Sequence, residues 1–133
     1  MLKFSIKKKF DDCPCKGTNL EKLIHPAILT LLVGEELHGY SIVQKLQETH
    51  MLHGRKPDPS GVYRCLKQME QGGYVSAVWD VSNPGAAKRL YKITEDGLEC
   101  LKIWINTLDD YHHSLGMFLS FAKDQYTRVN CSE

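Results

Sequence analysis

Apolar residues at 20, 23, 24, 27, 28, 31 and 32 recur at the three- and four-residue spacing of one helical face. Pro26 interrupts that stripe. A proline costs about 3 kcal/mol inside a helix yet is easily placed at a first helical position. The pattern predicts a short turn near 20–24 and a main helix from Pro26 to about Val33, or else one kinked helix. His38-Gly39-Tyr40 opens a second helix, Tyr40 to about Gln47, with Ile42, Val43 and Leu46 facing inward. A polar loop with Gly54, Pro57 and Pro59 leads to a third helix, Ser60 to Gln71. Its inner face carries Val62, Cys65, Leu66 and Met69, and its outer face Ser60, Arg64, Lys67 and Gln71, with Tyr63 and Gln68 on the flanks. Gly72-Gly73 is the expected stop, because glycine takes the left-handed cap conformation without steric cost.

The period then changes. Tyr74 to Val81 and Lys88 to Ile93 alternate as two antiparallel strands around the turn signal Asn83-Pro84-Gly85. On the second strand Arg89, Tyr91 and Ile93 share one face and Lys88, Leu90 and Lys92 the other. Thr94 is a good N-cap for a last helix whose first turn holds Glu95 and Asp96 at the positive helix end. In that helix Leu101, Trp104, Leu108, Tyr111, Leu115, Phe118 and Ala122 recur at spacings of 3, 4, 3, 4, 3 and 4. Such a heptad seam belongs to a helix packed lengthwise on another. The chain offers no second long helix, so a second copy is expected to receive the seam. Folding back on the first helix would account for only part of it.

Composition narrows the class. With 133 residues, 42% hydrophobic and 25% charged, the chain is one ordinary globular domain with a tail or a dimerising helix. The longest largely apolar run, 27–33, is too short to cross a bilayer. Lys3, Lys7, Lys8 and Lys9 are not followed by an apolar block, so no secretory leader is expected and the cytoplasm is the default location. Five cysteines, at 13, 15, 65, 100 and 131, form no disulfide framework and are expected as free thiols. The formal net charge is only +1, but its distribution is uneven. Residues 54–93 hold seven basic side chains against three acidic ones, and residues 94–133 hold three against seven. A neutral total thus hides a basic middle, and phosphate attraction depends on the local field.

Three short helices followed by a basic hairpin make a winged helix, a helix-turn-helix variant. The fold class expected is therefore mainly α with a small β-hairpin, a winged helix-turn-helix plus a long C-terminal dimerisation helix. Only outward residues of the third helix can reach bases in a major groove. Ser60 and Gly61 permit close backbone approach near the helix N-terminus, and the fork of Arg64 matches guanine's two acceptors. Tyr63 and Lys67 suit the backbone or a thymine methyl; Lys88 and Arg89 on the hairpin suit phosphates or a neighbouring minor groove. Tyr40 and Lys45 would brace the backbone. Tyr63 could instead be a packing residue, and Arg89 could pair with Asp80 across the hairpin.

Leu37-His38-Gly39-Tyr40, Ser60-Gly61-Val62-Tyr63-Arg64-Cys65-Leu66, Glu70 to Tyr74, and Arg89-Leu90-Tyr91-Lys92-Ile93-Thr94-Glu95-Asp96-Gly97 resemble blocks of the PadR-like transcriptional regulators. They lie in the right order with short gaps, over about residues 25–110. The resemblance implies a homodimer with crossing C-terminal helices and a repressor released by a small ligand or other cue. It also implies DNA contact by the third helix and the wing, which carries onto Ser60, Gly61, Tyr63, Arg64, Lys67, Lys88 and Arg89. A single C-terminal helix is similar to the short subgroup, some members of which bind aromatic ligands between the crossing helices. Trp104, Leu108 and Tyr111 could line such a pocket or simply be core. The Cys13-Pro14-Cys15 arm resembles arms of polyhydroxybutyrate-responsive repressors.

The expected plan is an arm over 1–19, a winged helix over 20–94, a dimerisation helix over 95–126 and a tail over 127–133. Duplex DNA and a second copy are the expected partners, with a small-molecule effector besides; no cofactor and no membrane are expected. No Ser/His/Asp arrangement, Gly-rich phosphate loop or carboxylate pair in an apolar setting points to an enzyme. One competing reading makes Cys13 and Cys15, with His25, His112 or His113, a metal or redox sensor. Another is a winged helix that binds protein.

Overall fold

The computed structural model describes residues 23–48, 58–82, 85 and 87–131. Contacts divide the chain into two compact units, the first ending at Leu98 and the second beginning at Glu99. In order the elements are α1 (Ile24–Leu32), β1 (Leu37–His38), α2 (Gly39–Glu48), α3 (Pro59–Gln71), β2 (Val75–Asp80), β3 (Lys88–Ile93) and α4 (Glu95–Cys131). Cys13, Cys15, Arg55, Lys56, Asn83 and Pro84 lie outside the described residues.

Residues 20–22, on which the expected turn near 20–24 largely falls, lie outside the described residues, and among the described ones Pro26 falls inside helix α1. That helix begins at Ile24, so Pro26 sits in the first turn, where the first four N–H groups have no helical acceptor in any case. The ring removes no hydrogen bond there, and the Pro26 carbonyl accepts from Thr30 Oγ1 at 2.8 Å. Ile28 and Leu29 are wholly buried against α2, α3 and β3, with Ile42 and Leu46 of α2 and Val62, Leu66 and Met69 of α3 completing the core. Each such side chain contributes about 1.5–3 kcal/mol by leaving water.

Both ends of α3 are locally encoded. Pro59 occupies the first turn, one residue before the expected start, and the carboxylate of Asp58 accepts from the Ser60 N–H at 3.4 Å. At the far end the N–H of Tyr74 reaches the Met69 carbonyl at 2.9 Å and that of Gly73 reaches Glu70 at 3.1 Å. This is a Schellman turn, with Gly73 at φ +82° in the left-handed position. The hydroxyl of Thr94 donates to the Gly73 carbonyl at 2.6 Å and accepts from the Gly97 N–H at 3.0 Å. The expected N-cap of α4 therefore also ties that helix's start to the end of α3.

The expected hairpin is part of a three-stranded antiparallel sheet in the order β1-β3-β2. Leu37 stands opposite Tyr91 and His38 opposite Leu90, while β2 runs from Val75 opposite Ile93 to Asp80 opposite Lys88. Two residues are too few for alternation to register, which is why β1 reads from sequence as the lead-in to a helix. Tyr91 is buried on the inner face of the sheet, and burial pushes its phenol up, with Arg89 opposing that shift. In the second unit α4 continues to Cys131, past the expected end at 126.

Candidate nucleic-acid interface

Helix α3 turns Val62, Leu66 and Met69 into the core, and 3.6 residues per turn then leaves Ser60, Tyr63, Arg64 and Lys67 exposed on the opposite side. Gly61 is half-buried beside the Asp58 cap. Cys65 is half-buried with its thiol 3.7 Å from Met69 Sδ, and burial pushes that thiol up, away from reactivity.

A second group of the expected residues meets at a cleft of about 400 Å³ between the start of α2 and the wing. Gly39, Tyr40, Tyr63, Trp79, Lys88 and Arg89 are among the residues that line it. The Tyr63 ring lies against the backbone of Gly39: a Cβ there would stand 2.6 Å from Tyr63 Cε1. Tyr63 is thus packed on one side, yet 45% of its surface stays open. Tyr40 is exposed and accepts from Gln44 Nε2 at 3.0 Å. Lys45 is engaged with Glu35 at 2.5 Å, and Lys92 stands 4.0 Å from Glu36. The structure thus brings Tyr40, Tyr63, Lys88 and Arg89 to one cleft and leaves Ser60, Arg64 and Lys67 on the open face of α3.

Two side-chain pairings meet at the wing root. Arg89 does not pair with Asp80: its Nη2 donates to both carboxylate oxygens of Glu70, at 2.9 and 2.7 Å. Its guanidinium also lies 5.5 Å from the Trp79 ring centre and 5.8 Å from that of Tyr91. Asp80 accepts from the hydroxyl of Ser82 at 2.6 Å and from its N–H at 3.0 Å, and meets His38 Nε2 at 2.8 Å. The Ser82 hydroxyl, the Ser82 amide and then His38 hold the Asp80 carboxyl down at about 2.

The sequence pattern assigns no role at this site to Glu70, Trp79 or His38. Trp79 was findable, because counting back from the turn puts it opposite Arg89 on one sheet face. Glu70 and His38 meet partners 19 and 42 residues away, and no local pattern signals such contacts.

In the second unit Leu101 is buried, Trp104 and Leu108 are half-buried, and Tyr111, Leu115 and Phe118 are exposed by 61%, 48% and 67%. The apolar stripe continues to Val129, with Leu119 and Tyr126 beside it. Among the described residues no three His, Cys, Asp or Glu side chains cluster as a metal site, and no helix is long and apolar enough to cross a membrane.

Residues 28–103 match the model of the family described as "Transcriptional regulator PadR-like family". A Bacillus subtilis PadR crystallised with operator DNA is 25% identical, with a TM-score of 0.56. That match covers 62% of this chain and 46% of the other, so this chain spans under half the length of that relative. A candidate transcriptional regulator of Thermoplasma acidophilum is 28% identical, with a TM-score of 0.66 over 76% of this chain and 94% of that one. A PadR family regulator of Eggerthella lenta has a TM-score of 0.72 over 85% of this chain and 96% of that one; at 20% identity the likeness is one of fold. No curated protein matches the chain. These likenesses support the family as a whole; they do not support the short subgroup or the polyhydroxybutyrate cue.

Proposed function

The chain belongs to the PadR-like family of transcriptional regulators, and from that premise we propose that it is a homodimeric, sequence-specific repressor of duplex DNA. The observation that carries this is the open polar face of α3 beside a basic wing. Ser60 and Gly61 lie where helix N–H groups favour a phosphate, Arg64 reads a base, and Tyr63 and Lys67 hold the backbone. Tyr40 and Lys88, which both line the cleft, take flanking phosphates. Arg89, next to Lys88 in β3, is engaged by Glu70. The operator complex of the B. subtilis relative supports the choice of DNA over a protein partner.

Dimerisation rests on α4. Tyr111, Leu115 and Phe118 leave a large apolar stripe in water, and the other described helices have 9, 10 and 13 residues against its 37. A second copy of α4 is the partner of matching length. Trp104, Leu108 and Tyr111 would then line the space between the paired helices, where a small releasing ligand has aromatic surface to meet.

Selection of duplexes from a random pool by the full chain tests the reading. Arg64→Ala should reduce preference for the selected duplex about 5- to 150-fold, matching about 1–3 kcal/mol for one bidentate base contact. Lys88→Ala should flatten the log–log salt dependence by about one without changing sequence preference. A pool that fails to enrich at low salt rules the reading out.

A further inference from the structure

We infer that Arg89 and Glu70 are positioning residues, a strut that sets the wing against the recognition helix, and that Arg89 is not a phosphate contact. The inference rests on the DNA reading above and deepens it.

Arg89 is engaged through one end of its guanidinium, although 39% of its side chain stays open to the cleft. Both Glu70 oxygens take its Nη2, Trp79 and Tyr91 flank the guanidinium, and its Nε is buried without an acceptor. Glu70 is the sole acidic side chain of α3, on a surface where Arg64, Lys67 and Lys88 are positive. A carboxylate beside phosphates opposes binding, so its presence there calls for a geometric role. Glu70 also lies within the Schellman turn that ends α3, since its carbonyl accepts from Gly73. Directly opposite Trp79 and next to Lys88, Arg89 links that rigid turn to the wing. A pair placed so makes Lys88 and the open face of α3 present themselves to one duplex together. Apolar packing holds the inner half of the wing, where Val75 and Tyr91 are buried, but Trp79 and Val78 are 63% and 60% exposed, so the outer half of β2 has little core beneath it and the pair adds a fixed point there.

The strut and the phosphate contact differ in sign. If Arg89 reached a phosphate, Glu70 would compete for it, and Glu70→Gln would free the guanidinium and tighten binding. If the pair positions the wing, Glu70→Gln weakens operator binding although it removes a negative charge.

The experiment titrates the full chain and its variants with a duplex selected by the wild type and a scrambled duplex of equal length, across a salt series. Glu70→Gln and Arg89→Gln should each lose about tenfold in affinity for the selected duplex, and the double variant no more than either alone. Scrambled-duplex binding should stay within about twofold and the salt slope within about half a unit, which a merely unfolded variant would not preserve. Arg89→Lys, which keeps a cation for Glu70, should recover part of the loss. Tighter binding by Glu70→Gln, or a slope flattened by about one in Arg89→Gln, overturns the strut. If Arg89→Gln does not fold, the sign of the Glu70→Gln effect decides alone. Failure of the wild type to bind either duplex is a different result: it removes the DNA reading and the strut with it.

Discussion

Phe118→Ala gives the dimer reading a quantitative test. Phe118 is 67% exposed in the chain and lies on the heptad seam of α4. Burying a whole phenylalanine side chain contributes about 1.5–3 kcal/mol. With two thirds of it still in water, pairing should gain about 1–2 kcal/mol per copy, or about 2–4 kcal/mol per dimer, since both copies bury it. At about 1.4 kcal/mol per decade, removing the ring should raise the dimer dissociation constant about 30- to 700-fold. Ile103→Ala is the matched control, 60% exposed on the same helix but outside the seam, and it should leave the constant within about threefold. Sedimentation equilibrium from nanomolar to high micromolar concentration reads both. Equal shifts in the two variants would mean that α4 is sticky rather than registered. An unchanged constant for Phe118→Ala would refute the seam.

Two further expectations test the scaffold. A Cβ at Gly97 would overlap the Tyr74 carbonyl oxygen and stand 2.7 Å from Ile93 Cγ1, and backbone cannot swing aside as a side chain can. Gly97→Ala should therefore cost about 3 kcal/mol and lower the melting temperature by about 12–24 °C, and a drop of a degree or two contradicts the packing. Asp80 titrates at about 2 instead of the ordinary 3.8, so the ion is the form the folded state prefers. Its contribution is present above about pH 4 and disappears as the pH falls through about 2. Asp80→Asn should flatten the acid limb of stability in urea titrations at fixed pH, and parallel curves for the two proteins would show that the Asp80 carboxylate contributes nothing to it.

Much of this architecture was readable along the chain because its signals are local. The inner face of α3 follows from Val62, Leu66 and Met69 at helical spacing, its stop from Gly72-Gly73, and the start of α4 from Thr94. The bounds of β3, Lys88 to Ile93, emerge directly from alternation. The weaker points share one cause. Pro26 reads as a helix start in isolation, and its place within the first turn of α1 is set by where that helix begins. Strand β1 exists because β3 offers it an edge, and a two-residue strand has no period to detect.

Charge illustrates the division best. Linear order is enough to mark a basic hairpin, a polar outer face on the third helix and an apolar seam along the last helix, because spacing along a helix or strand maps directly onto faces. Which cations remain available for a ligand is another matter. Arg89 and Lys88 are neighbours of equal promise in the chain, yet only Arg89 finds Glu70, brought to it from 19 residues away by the fold, and Lys45 is met by Glu35 in the same manner. Pairing between distant side chains depends on how the elements pack, and packing sums many weak contacts that no short window of residues contains.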